Sequence, residues 1–410
     1  MKFSAIVATV IVLAAFTESM AQELEFHPSL AVSEEFTDNV FNTVNDEEPE
    51  YITRVLPGFS LGYRAKALDV TARYTFDYRH YARGSRGDEI THSASAKGLL
   101  TVVENFFFID ASDDYRRVSL DVARDFTRES LFVNQSDLNV ATISPYFLWH
   151  LGPRTTMRTG YRYVNTWYRE PTGVDKTEHT GFVDLSRELG ARLNLDAGYT
   201  FTRLDTKQTD YDRHQGFAGI RYEYAEGSTI RLQGGMTSFD FSDGSSFTGP
   251  FWNAGIIHVL DSLTFRADAT VIYTEDPLRT ATEERLYSGR VEKRFERGEG
   301  HVSFAYSELE DTITEEDITE KYTVGLGGGY EFTERFKSTI ELGGERFSRD
   351  TSEDFPYRAF ATVGLSYDLG DSFMVSLLYS HVSDFRHGSF DSPDFGAQTN
   401  RVMLEFRKVF

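Results

Sequence analysis

Arginine recurs on one face of alternating segments along the whole chain. Arg73, Arg79, Arg116, Arg158, Arg162, Arg221, Arg231, Arg266, Arg290, Arg294, Arg358, Arg401 and Arg407 all share this placement. Carboxylates are interleaved on the same face, among them Asp69, Asp77, Asp110, Asp184, Asp196, Asp268, Glu292 and Glu345. A guanidinium is a planar fork of donors that matches carboxylate, sulfate or phosphate. Two uses follow. Cross-strand ion pairs would stiffen a wide wall, each contributing a fraction of a kcal/mol. A charged wall would select what passes along it, as charged rings do in channels. The two are compatible. As pore-lining candidates the pattern offers Arg73, Asp77, Arg79, Arg116, Arg158, Arg162, Arg221, Arg231, Arg266, Asp268, Arg290 and Arg358.

The elements that must position these side chains are β-strands. Leu68, Val70, Ala72, Tyr74, Phe76 and Tyr78 alternate with Asp69, Thr71, Arg73, Thr75, Asp77 and Arg79, which is the two-residue period of a strand. The same sorting marks Leu193–Thr202, Leu263–Tyr273 and Tyr357–Tyr367. Short and longer breaks take turns between such segments, the rhythm of an outer-membrane barrel. The spacing predicts an all-β fold: a transmembrane antiparallel up-and-down β-barrel of about 20 strands, within roughly 18–22. The chain ends in mid-strand, with Val402, Leu404, Phe406 and Phe410 on one face and Arg401, Glu405 and Arg407 on the other. A last strand that zips onto the first leaves no edge facing lipid. The terminal Phe410 also resembles the signal read by the outer-membrane assembly machinery, although Lys408 stands where an apolar residue is commoner.

Composition narrows the class. Lys2 precedes an apolar run from Phe3 to Phe16 and a Ser19-Met20-Ala21 ending, the layout of a signal peptide over residues 1–21. Residues 22–410 would then form the barrel, with both termini in the periplasm of a Gram-negative cell. The run is shorter than the roughly 20 residues of a membrane helix. With no cysteine, disulfide scaffolds and thiolate chemistry are excluded. A formal net charge of −22 argues against nucleic acid as a partner. The 34 Phe and 22 Tyr suit aromatic girdles at two membrane interfaces, and the expected surroundings are outer-membrane lipid and lipopolysaccharide.

No catalytic, metal or cofactor constellation stands out, and the chain is not expected to be an enzyme. The 10 histidines are scattered. Gly325-Leu326-Gly327-Gly328-Gly329 leads into Tyr330-Glu331-Phe332 with no helix to receive a phosphate, so a bend or bulge is expected there. Acidic runs at Asp46–Glu50, Glu308–Asp311 and Glu315–Asp317 read as solvated loops, or as points of divalent-cation bridging to lipopolysaccharide. The longest loop, Ser119–Leu138, carries Phe126, Leu131, Phe132 and Val133 and is either an ordinary external loop or a segment that narrows the pore.

At the first hairpin the chain reads Val32-Ser33-Glu34-Glu35-Phe36-Thr37-Asp38-Asn39-Val40-Phe41, then Leu56-Pro57-Gly58-Phe59-Ser60-Leu61-Gly62-Tyr63. This resembles the β-barrel porin 2 family of outer-membrane barrels associated with exopolysaccharide export. The resemblance is at motif level over this hairpin and architectural beyond it. It implies a porin-like conduit that helps a polysaccharide cross the outer membrane together with periplasmic export proteins. It carries over no binding residues. A local account also holds, because Asp and Asn favour turns and Thr37-Asp38-Asn39 would simply open the first external loop. The alternatives are a general diffusion porin for small charged solutes, or a barrel-borne enzyme or adhesin.

Overall fold

The computed structural model describes residues 23–120, 135–207, 210–274, 282–311, 319–349, 356–385 and 395–410. The expected signal peptide and the apolar part of the longest loop, Phe126 to Val133, lie outside these residues. Twenty strands follow one another: β1 Glu23–Thr37, β2 Glu50–Arg64, β3 Leu68–Tyr81, β4 Glu89–Val103, β5 Phe107–Ser119, β6 Gln135–Gly152, β7 Thr155–Tyr168, β8 Lys176–Glu188, β9 Leu193–Thr206 and β10 Tyr211–Ala225. The second ten are β11 Ser228–Phe241, β12 Ser246–Leu260, β13 Leu263–Thr274, β14 Thr282–Phe295, β15 Gly298–Asp311, β16 Thr319–Glu331, β17 Phe336–Arg349, β18 Tyr357–Gly370, β19 Phe373–Phe385 and β20 Phe395–Val409. Each pairs antiparallel with the next, and β20 pairs back onto β1 from Ser29↔Val409 to Thr37↔Arg401. The barrel is closed. With about 4.8 Å between strands and a tilt of about 40°, the backbone radius is about 20 Å.

The connections at the end holding both termini are tight, for example Glu226-Gly227, Asp261-Ser262 and Asp371-Ser372. Positive φ at Gly227 (69°), Asp261 (50°) and both Asp371 (50°) and Ser372 (59°) lets two residues reverse the chain; Asp371-Ser372, positive at both, has the φ signs of a type I′ turn. The other end carries the longer connections. We call the two ends the terminal rim and the far rim. The seam is pinned at both: Phe410 N–H donates to the Pro28 carbonyl at 2.8 Å, and Asp38 accepts from the Asn400 backbone (2.8 Å) and side chain (2.6 Å).

Registers carry one polar and one apolar face round the barrel. Apolar-face side chains stand open on the outside: Leu24 is 64% exposed, Val302 58% and Leu326 52%. A soluble fold would cover such a surface, whereas lipid is its natural solvent. Three outward pairs repeat one geometry at a common level. Tyr74, Tyr161 and Tyr199 hydroxyls meet the Nδ1 of His92 (2.8 Å), His179 (2.5 Å) and His214 (2.7 Å). Each histidine lies directly opposite the aromatic two residues further on, Phe76, Tyr163 or Phe201. An apolar ring with a polar tip suits a membrane interface.

Some expectations need correcting. The Gly325–Gly329 run is regular strand with unbroken register to both neighbours, because glycine there accepts a close partner: an added Cβ on Gly327 would lie 2.6 Å from the His301 ring. Glu308 and Glu310 are strand residues on the outer face, where both pair with Arg285. Charge is tolerated there because strands of 12–18 residues outreach the roughly 9–11 needed to cross a bilayer. Glu50 is fully buried, accepting backbone N–H groups of Arg83 (2.7 Å) and Ser85 (3.0 Å). The Glu315–Asp317 run lies outside the described residues.

Candidate functional site: the inner wall

The polar face is the concave one. Every sequence-derived candidate from Arg73 to Arg358 falls on it, because each register step from Arg73↔Ser95 round to Arg358↔Asp384 keeps like faces together. Their surroundings differ sharply between the two ends.

Toward the far rim the wall is sealed. Arg54 and Arg79 lie directly opposite each other on β2 and β3, and Asp77 bridges them at 2.6 and 2.8 Å while itself only 7% exposed. Arg79 continues to Glu89 (3.8 Å), which also pairs with Arg117 at the rim; Arg117 and Asp137, 3.0 Å apart, alternate with the inner Arg116 and Leu138 and so lie on the outer face. About a quarter turn round the barrel Arg358, 4% exposed, is held by Asp384 (2.8 Å) and Glu345 (3.8 Å). Asp77 and Arg358 are therefore wall components and present no free charge to the lumen, because burial of a charge demands a partner. Buried apolar clusters occupy the same level: Leu204, Tyr211, Phe239, Phe241, Phe251 and Tyr273 form one. Two more are Val40 with Ile52 and Tyr81, and Leu120 with Leu138 and Tyr168. Between β3 and β4 at this rim, hydrogen bonds from Tyr78 and His80 hold the Asp88 carboxyl below the usual carboxylate range.

Toward the terminal rim the wall is open. A groove of about 530 Å³ is lined by Arg158, Asp184, Asp196, Phe217, Arg221, Arg231 and Gln233 on β7 to β11. Arg158 pairs with Asp184 at 2.8 Å. Arg231 is drawn away from the groove, to Asn253 (3.1 Å) and across β12 to Asp268 (3.3 Å). That reach needs Gly255, whose added Cβ would lie 2.7 Å from the Asp268 carboxylate. Phe217 lies flat over Gly198, directly opposite on β9. The same ring-over-glycine pairing joins Phe182 to Gly160 and Phe251 to Gly235. Flat rings keep aromatic area on the wall and out of the channel.

The remaining candidates are spread round the wall. Arg116 is 3.4 Å from Asp114. Arg266 and Arg290, directly opposite on β13 and β14, share Glu292 at 3.9 and 3.5 Å. Arg162 stacks on Phe182, its guanidinium carbon 5.1–5.5 Å from the ring together with that of Arg158. Among the described residues Arg73, Arg162 and Arg221 make no ion pair. Sequence reasoning missed Arg54, whose segment Tyr51–Pro57 does not alternate, and the outward Tyr–His pairs, which need the register to be seen. Among the described residues no group of three or more His, Asp or Glu is placed to hold a metal ion.

A closed, 20-stranded antiparallel barrel with an apolar exterior is the fold of outer-membrane β-barrels. Solved structures agree. The chain is similar to the FrpB iron transporter from Neisseria meningitidis, with a TM-score of 0.56, 10% identity, and coverage of 98% of this chain and 83% of that one. It is also similar to the ferric enterobactin receptor PfeA from Pseudomonas aeruginosa, with a TM-score of 0.55, 10% identity, and coverage of 96% and 81%. At such identities the likeness is one of fold. No family model and no curated protein matches the sequence.

Proposed function

We propose that this barrel is a passive outer-membrane conduit, with both termini in the periplasm and the far rim outside the cell. The observation that carries this reading is the wide closed wall whose inner face bears charged and hydrogen-bonding side chains, with an open stretch at the terminal half. Twenty strands enclose far more space than wall side chains fill, leaving a lumen about 25 Å across. The cargo we favour is a secreted polysaccharide. Support comes from the first hairpin, where the Thr37-Asp38-Asn39 motif fits the porin-family resemblance and has a physical task. Asn39, fully buried, donates to the carbonyls of Thr43 (2.7 Å) and Gln398 (3.0 Å) and so ties the first connection to β20.

Purified protein in planar bilayers should give stable, high-conductance channels. Bilayers that stay silent across salt and voltage sink the conduit reading.

A further inference from the structure

The inner wall holds three pairs of arginines placed directly opposite one another on neighbouring strands: Arg54↔Arg79, Arg266↔Arg290 and Arg221↔Arg231. Like charges in that position repel. In the first two pairs the protein supplies a carboxylate between them, Asp77 and Glu292 respectively. In the third no ion pair bridges them among the described residues. Arg231 turns aside to Asp268, and Arg221 stands exposed. Glu223 lies two residues from Arg221 toward the terminal rim, as Glu292 does from Arg290, but makes no ion pair to it; the other side of Arg221, toward Gly219, is open groove.

The groove's other groups narrow what could occupy that position. Asp196, on β9 diagonal to Arg221, makes no ion pair among the described residues. Gln233 lies directly opposite Gly219, and Gly219 directly opposite Asp196. Glycine between two polar side chains leaves room for a ligand to lie against the backbone. Phe217, half-buried, offers a flat apolar face at the groove's side. A free guanidinium for a carboxylate, a carboxylate and an amide for hydroxyls, and a ring for an apolar C–H face together make a site for a sugar acid. The volume of about 530 Å³ falls in the range of about 300–1,000 Å³ usual for small-ligand sites.

We infer that the groove bounded by Arg221, Asp196, Gln233 and Phe217 binds a carboxylated sugar unit, so that the polymer passed is an acidic polysaccharide. This rests on the conduit reading for its meaning, but the site can be tested without it. Binding of a galacturonate tetramer to the purified protein in detergent is measured by calorimetry, beside a neutral galactose tetramer and inorganic phosphate. Channel block by the same three probes is measured in planar bilayers. The expected result is galacturonate binding that is at least roughly tenfold tighter than either control. Arg221→Gln should weaken it roughly tenfold, the loss of one charge-assisted contact. Asp196→Asn tests the hydroxyl contacts and should weaken galacturonate but leave phosphate unchanged. Retained heat-modifiable migration on gels certifies that each variant is folded. Equal binding of the neutral tetramer, equal binding of phosphate, or full binding by folded Arg221→Gln would overturn the site. Binding in detergent with silent bilayers would overturn the conduit and keep the site; channels that galacturonate neither binds nor blocks would do the reverse.

Discussion

The two halves of the inner wall use the same residue types to opposite ends. Toward the far rim, Arg54, Asp77, Arg79 and Glu89 close on one another. Aromatic rings such as Tyr211 and Phe239 are buried at the same level further round. Toward the terminal rim, Arg221 and Asp196 face open groove and Phe217 keeps a partly exposed ring. The difference is supplied by the connections. Val40, in the long connection after β1, packs on Ile52 and Tyr81. Val174, in the connection after β7, is 3% exposed. Two-residue turns at the terminal rim have no side chains to spare for covering the wall. Height does not decide alone, because Glu292, 7% exposed, holds Arg266 and Arg290 in the terminal half; an arginine on such a barrel is a structural or a free group according to whether a carboxylate meets it, a distinction that face alone does not make.

If the far half is the stabilising half, breaking its ion pairs should cost most. Arg358→Ala leaves Glu345, whose side chain is 3% exposed, with Lys321 (3.2 Å) in place of two cations, and frees Asp384. Removing one partner of a buried pair typically costs about 3–5 kcal/mol. Urea unfolding in lipid vesicles should show a loss of that size. A variant that unfolds at the original midpoint would mean that the two halves do not differ in this way.

The seam offers a second, smaller break at the same height. Asn39→Ala removes donors to the Thr43 and Gln398 carbonyls and the acceptor of the Thr43 N–H (3.0 Å). Buried groups left unpaired cost about 1–3 kcal/mol. The same vesicle assay should register it, and protease should cut the connection at residues 40–48 faster. Unchanged cleavage would separate the motif from the seam.

Much of this was legible in the chain. Strict alternation from Leu68 to Arg79 gave both face and register sense, since one buried or lipid-covered face fixes the other. The inner placement of Arg221 and Arg231 follows from the same count. Their opposition does not, because pairing depends on turn lengths such as Glu226-Gly227, which slide one strand past the next. Arg54 was hidden because Ile52 and Leu56 share its inner face while Val55 and Phe59 are apolar on the outer one, so no period of two shows. Glu308 and Glu310 look like loop residues because a charged run in sequence carries no sign of how far a strand rises above the bilayer. Burial of Arg358 and Asp77 is also silent in sequence: it comes from partners on the adjacent strands, set by register.

The smallest effect sharpens the contrast from the open side. Arg221→Ala removes an exposed cation with no ion pair and directly opposite another, Arg231. In water a like-charge pair at about 4 Å repels by about 1 kcal/mol, less when screened, and surface changes usually stay within about 0.5 kcal/mol. Unfolding stability should therefore hold or rise slightly. The channel should nonetheless change, because the lost charge is uncompensated: the reversal potential in a salt gradient should move toward cation selectivity. Adding Arg162→Ala, the other exposed arginine on this stretch without an ion pair, should extend the shift in the same direction. A clear loss of stability from Arg221→Ala would place that residue among the wall's fasteners, and the open half would then be sealed by contacts of the same kind as the far one.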